Sequence, residues 1–208
     1  RHNQTSNESQ RESNSNLMAL FPTSPTPSSI KITGVSPTLT SVTHSLKRQA
    51  RSRGGQRWLI EANYPAMTRS TFAPLWAFAN AQQGQYNTFT FIPPIYGDTS
   101  GTATGTLLVN NASGYSAGDS SITCDGLTGT LKAGDFIKFT GHDKVYTLTA
   151  DGSTTIAIEP ALLSAVADNE TVTYNDVPFT MAFADDSQEM SVSTDQMIGF
   201  SIKLVEVV

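Results

Sequence analysis

The stretch Gly114-Tyr115-Ser116-Ala117-Gly118 fits the G-x-S-x-G pattern of a hydrolase nucleophile elbow, and Asp135 and His142 follow it in hydrolase order. The chemistry would be hydrolysis with Ser116 as the nucleophile. An elbow needs a buried strand before the serine and a helix after it. Here Asn110-Asn111-Ala112-Ser113 precedes, and an alternating run at 121–124 follows. The segment is also too short for a hydrolase sheet, so it reads as a glycine-rich β-turn and no catalysis is expected. His2, His44 and His142 are isolated from any metal set, so no metal and no cofactor is expected. The single Cys124 cannot form an intrachain disulfide and falls in a strand pattern, as a small buried hydrophobe does. The N-x-S/T matches at Asn111 and Asn169 mark turns.

Charge offers a second kind of chemistry. Lys47, Arg48, Arg51, Arg53 and Arg57 surround the Gly54-Gly55 pair. Clustered cations with flexible glycines can contact phosphates. Yet 13 basic against 18 acidic residues gives a net charge of -5, and no stacking aromatic lies within the run, so direct nucleic-acid recognition is not expected. A solvated hairpin loop is one alternative. Another is an intersubunit contact in which Arg48, Arg51 and Arg53 meet the acidic Asp185, Asp186 and Glu189.

The elements that must position these groups are mainly β. Only 15% of the 208 residues are charged, Gly and Pro are frequent, and Thr, Ser and Val recur in short runs. No signal peptide or transmembrane run is visible, and no membrane partner is expected. Residues 57–94 read as strand, amphipathic helix and strand. Trp58, Ile60, Ala62 and Tyr64 alternate, then Phe72, Leu75, Trp76 and Ala79 recur at helical spacing over about 70–83, then Phe89 and Phe91 alternate. Thr68, Ser70 and Thr71 can cap the helix, Gly84 can end it, and Pro74 fits within a first turn that starts near Ser70 or Thr71. Trp58, Trp76 and Tyr86 could line a sugar-binding face, but their periodic placement makes them core residues.

Before this stretch, residues 1–17 form a polar tract too poor in apolar groups to order itself. Met18 directly after it admits a second reading, upstream sequence or a processed end. Both exclude it from the core. Ile30, Ile32 and Val35 then mark one strand and residues 39–46 a second, with Pro37 at the turn between them. Residues 99–175 hold six short alternating runs with glycine-containing turns, the pattern of a small antiparallel barrel or sandwich inserted into an outer domain of residues 18–98 and 176–208. The two ends of such an insertion must lie close together. After Phe179, Met181 and Phe183, the acidic residues form a turn, and the chain ends in a run, 198–208, too apolar for a free edge. Another element or a neighbouring subunit is expected to cover it, and assembly is the simplest way to manage it.

The phrases SLKRQARSRGGQRWLIEANYP and MTRSTFAPLWAFANAQQGQYNTFTFIPP, the GDFIKF segment in the insertion and the ending IGFSIKLVEVV together resemble the distal tail proteins of long-tailed bacteriophages. The resemblance spans most of residues 20–208 and carries no catalytic signature. It implies a tail-tube-like β-sandwich flanked by a helix. It also implies a self-assembled ring, commonly a hexamer, at the virion tail tip, joining the tail tube protein to tail-tip hub proteins. Such proteins are assembled in the bacterial host cytoplasm and carry an outward accessory domain, here 99–175, which could hold tail fibres. A tail-tube or minor tail protein and a monomeric carbohydrate-binding β-sandwich module are the alternatives.

Overall fold

The computed structural model describes residues 18–208; the polar tract expected at 1–17 lies outside the described residues. The protein is mainly β, with one helix among the described residues and an inserted closed barrel. The outer domain is a seven-stranded sheet in the order β1 (Ala19–Leu20), β6 (Phe89–Phe91), β13 (Phe179–Phe183), β15 (Ile198–Glu206), β5 (Arg57–Asn63) and β2 (Ser29–Val35), with β14 (Met190–Val192) also paired to β15. Period-two alternation sets its faces. Ile60 and Ala62 on β5 stand opposite Leu204 and Ile202 on β15, and Met181 and Phe183 opposite Glu206 and Leu204, so one face collects the apolar side chains. The other face is wetter: cross-strand Lys31 and Glu61 pair there at 3.5 Å.

Helix α1 (Arg69–Ala81) covers much of the apolar face. Phe72, Leu75 and Ala79 recur at i, i+3 and i+7 and are buried, and each of the two larger side chains contributes roughly 1.5–3 kcal/mol by leaving water. Phe72 meets Phe200 edge-on with ring centroids 5.3 Å apart. The start of the helix differs from the sequence reading in two ways. The Thr68 hydroxyl caps no backbone amide and instead bonds the Ser70 and Thr71 hydroxyls, at 3.0 and 3.1 Å. Because the helix starts at Arg69, Pro74 falls in its second turn, beyond the free amides. Pro74 faces solvent there, as does Ser70, whose carbonyl the missing amide would have bonded. After the helix Gly84 takes φ +66, and a Cβ there would come within 2.8 Å of Asp186 Oδ1.

Pro37 does not reverse the chain. The strand β2 continues past it into β3 (Thr38–Val42), which pairs with β4 (Arg48–Ser52), and β4 leads into β5; the whole is one long antiparallel arm with an irregularity at 53–56. The distal half, β3 and β4, is a separate two-stranded ribbon.

The expected six runs within 99–175 form six strands, β7 (Thr104–Val109), β8 (Ser121–Thr128), β9 (Phe136–Phe139), β10 (Val145–Leu148), β11 (Thr155–Glu159) and β12 (Thr171–Thr173). All neighbours pair antiparallel and the barrel closes, which leaves no free edge. The core inside it includes Leu107, Ile122, Ile137, Tyr146 and Ile156. Its two chain ends lie side by side: Asp176 N donates to Asp98 Oδ1 at 3.0 Å, and Thr99 N to Asn175 Oδ1 at 3.2 Å.

The terminal run is not an edge. Strand β15 lies between β5 and the β13–β14 path, and Ile198, Phe200, Ile202 and Leu204 are buried inside their own chain. Of the two expected covers, another element of the same chain is the one observed, so the apolar run does not require a neighbouring subunit.

Candidate functional site

Three regions concentrate exposed or unusual chemistry: the ribbon, the acidic segment with the groove beside it, and the seam between barrel and sheet. In the ribbon all five residues of β3 and all five of β4 are exposed, including Leu39 and Val42; Leu46, in the turn with φ 59, is 85% exposed. An isolated two-stranded ribbon buries too little to be stable alone. Register separates its cations: Arg48 stands opposite Val42 and Arg51 opposite Leu39, so the two arginines lie on opposite faces. Arg53 lies beyond β4, where its amide donates to Pro37 O. The three arginines are thus one charged arm, not a one-sided patch.

Asp185, Asp186 and Glu189 do not form a turn that reverses the chain. Both β13 and β14 pair with the same edge of β15, and residues 184–189 bulge out over the stretch that 201–203 span on β15. Asp186 Oδ1 accepts from Gln85 N at 3.1 Å, which ties the bulge to the end of α1. The ion pairs formed among the described residues, Lys31–Glu61, Lys132–Asp151 and Lys144–Glu206, include neither the arginines of the arm nor the acids of the bulge. The chain does not bring the two sets together within itself.

Beside the bulge lies a groove of about 710 Å³ between α1 and β14. Phe72 and Trp76 form one wall and Met190, Val192 and Met197 the other, with Asp195 and Arg69 at its rim. Met190 and Val192 are exposed on a strand that pairs only on its β15 side. Sequence reasoning missed this groove because Met190 and Val192 look like any short strand. Only the bulge that offsets β14 from β13 reveals an open edge.

The third region was also missed. Glu206 continues the inward parity of Ile202 and Leu204, and that register was the available signal. Its carboxylate is buried against the barrel, where it takes hydrogen bonds from Lys144 Nζ, from Val145 N at 2.9 Å and from Trp58 N at 3.1 Å. Burial pulls the Lys144 ammonium below its ordinary pKa, against the opposing pull of Glu206. Trp58 belongs to this seam: its Nε1 donates to Val145 O at 2.8 Å and its ring meets Phe136 edge-on at 5.1 Å. Lys138 Nζ donates to Thr180 Oγ1 at 3.0 Å across the same seam.

The residues of the elbow pattern do not assemble. Ser116 lies in a turn where its amide donates to Asp119 Oδ2 at 2.9 Å. His142 is buried against Tyr146, Nδ1 to hydroxyl 2.8 Å. Asp135 accepts from the Thr99 and Ser100 hydroxyls and from the Ser100 and Lys132 amides, which pins the start of the insertion to the barrel. Burial works against its charge, but these donors outweigh it and hold the carboxyl below its ordinary pKa. Cys124 is buried in β8, where burial first and the neighbouring Asp125 second push the thiol up to about 12. The three aromatics considered for sugar binding are dispersed: Trp58 at the seam, Trp76 against Phe72 and Phe200, and Tyr86 exposed, where the core had been expected. Compared with known proteins, the chain matches no family model, and no curated protein is similar to it.

Proposed function

We propose that the chain is a structural subunit of a long-tailed phage tail, of the distal-tail kind, which closes with its own copies into a ring, a hexamer, joining tail tube to tail tip without catalysis. The observation that carries this reading is the arm. It is a ribbon whose strand residues are all exposed, with apolar and basic side chains that no other described residue covers. Such a ribbon is accounted for when a partner covers it. The resemblance to distal tail proteins supplies the setting, and the closed barrel, which buries its own core, is the accessory domain that could face tail fibres.

Native mass spectrometry of the purified chain tests the reading. A closed species of one fixed stoichiometry is the expected result, with imaging of assembled particles placing it at the tail tip. A monomer at every concentration and salt condition would overturn it.

A further inference from the structure

We infer that the tip of the arm of one copy docks in the groove between α1 and β14 of the next, with Val42 and Leu46 against Trp76, Met190 and Val192, and Arg48 against Asp195. The inference rests on the self-association proposed above and names the two surfaces that meet.

Position on the sheet makes the contact intermolecular. The arm leaves the sheet at Val35 and Arg57, the end at which β15 finishes with Glu206 and the barrel docks. The groove sits at the opposite end, where Ile198 pairs with Met67 beyond Asn63. The seven residues of β5 separate the two ends by about 20 Å, and the ribbon extends further away, so it cannot fold back into its own groove.

Composition matches the two surfaces. The tip carries the exposed apolar Val42 and Leu46 with Lys47 and Arg48 beside them; the groove is apolar inside, with Asp195 at its rim and Glu189 next to Met190. Arg69 is the cation on the groove's other wall, so the acidic side is the one that selects Arg48. The outer edge of β14 leaves backbone groups free to pair with an added strand, and a ribbon edge supplies one. One surface given and a different one received makes a head-to-tail contact, which closes into a ring when the rotation allows.

The test uses the full chain with cysteine pairs. Val42→Cys in one preparation and Val192→Cys in another are mixed and oxidised, with Leu39→Cys, on the opposite ribbon face, as the control. Native Cys124 is buried and does not compete. Intermolecular disulfides with Val42→Cys and not with Leu39→Cys are expected. Leu46→Asp, at an exposed position that leaves the fold intact, is expected to weaken self-association about tenfold or more, and Arg48→Glu more than Arg51→Glu. Oligomers that persist in Leu46→Asp without the disulfide would overturn the docking while leaving the ring reading standing. Disulfide-linked pairs within open assemblies of variable length would support the docking and overturn the closed ring. A monomeric wild type without crosslinks would overturn both.

Discussion

Lys144 and Glu206 form an ion pair in which the side chains are 1% and 0% exposed, and it joins the inserted barrel to the last strand of the outer sheet. Burial disfavours the Lys144 charge, and the Glu206 carboxylate opposes that loss. Backbone amides from Trp58 and Val145 complete the carboxylate's partners, so the seam reads register from both domains at once.

Breaking one half should therefore cost more than replacing both. Glu206→Gln leaves Lys144 buried without a counter-charge and should destabilise by about 3–5 kcal/mol. Lys144→Met with Glu206→Gln should cost clearly less than the sum of the single changes. Urea unfolding of all four proteins checks this, and strict additivity would remove the pair from the seam's energetics.

Excising the barrel tests the same seam from the other side. Phe136 and Val145 belong to the core that includes Ile60 and Phe179, so replacing 99–175 with a short linker exposes Trp58, Phe179 and Glu206. The outer domain should then unfold at lower denaturant than the full chain, whereas residues 98–176 alone should fold, since that core and its hydrogen bonding close on themselves. Circular dichroism melts of both fragments decide. An outer domain as stable as the full chain would show that the barrel contributes nothing to it.

Most of the secondary structure was legible because it rests on local periodicity. The alternation of Ile202 with Leu204, the helical spacing of Phe72, Leu75 and Ala79, and the six short runs of the insertion each declare a buried face without reference to distant residues. What was not legible depends on who sits beside whom. Pro37 looks like a turn, yet its strand continues because the returning chain lies opposite it, with Arg53 N donating to Pro37 O just beyond β4. The run ending at Val208 looks like an adhesive edge, yet β5 and β13 flank it. Within the site, the charges of Arg48, Arg51 and Glu189 were visible; their faces were not, since the side on which an arginine points follows from register.

Cys124 should report barrel opening. With the thiol raised from 9.0 to about 12, the folded protein keeps a proton that the unfolded chain releases, so stability is untouched below pH 9 and falls as pH rises through that window. At pH 8 a maleimide should modify Cys124 only after denaturation. Fast modification of the folded protein would show an open β8. Cys124→Ala should flatten the alkaline loss of stability.

Asp135 works in the opposite direction. Its carboxyl is held below the ordinary 3.8, so the folded state favours the charged form, and this stability is present above that value and lost as pH falls through the folded pKa. Asp135→Asn should cost about 1–3 kcal/mol at neutral pH by disturbing four hydrogen bonds at the start of the insertion. The gap between wild type and variant should narrow in acid. A gap that stays constant from pH 7 to acid, followed by denaturant titration, would remove the charge from the argument.

Pro74 offers a gain in place of a loss. It lies in the second turn of α1, exposed, where its nitrogen cannot donate to Ser70 O. Alanine restores that donor and relieves the ring's contact with the preceding turn, and a proline in a helix interior costs about 3 kcal/mol relative to alanine. The unfolded chain also regains freedom at this position, which offsets about 1 kcal/mol of the gain. Pro74→Ala should therefore stabilise the protein by about 1–2 kcal/mol, read from the unfolding midpoint at unchanged denaturant dependence. The groove lies on the same helix, between Phe72 and Trp76 on this side and Met190 on the other, so any change in the course of α1 would shift one wall. If stability rises while self-association weakens, Pro74 is held for the shape of the groove; if stability does not rise, the second turn of α1 carries no cost from its proline.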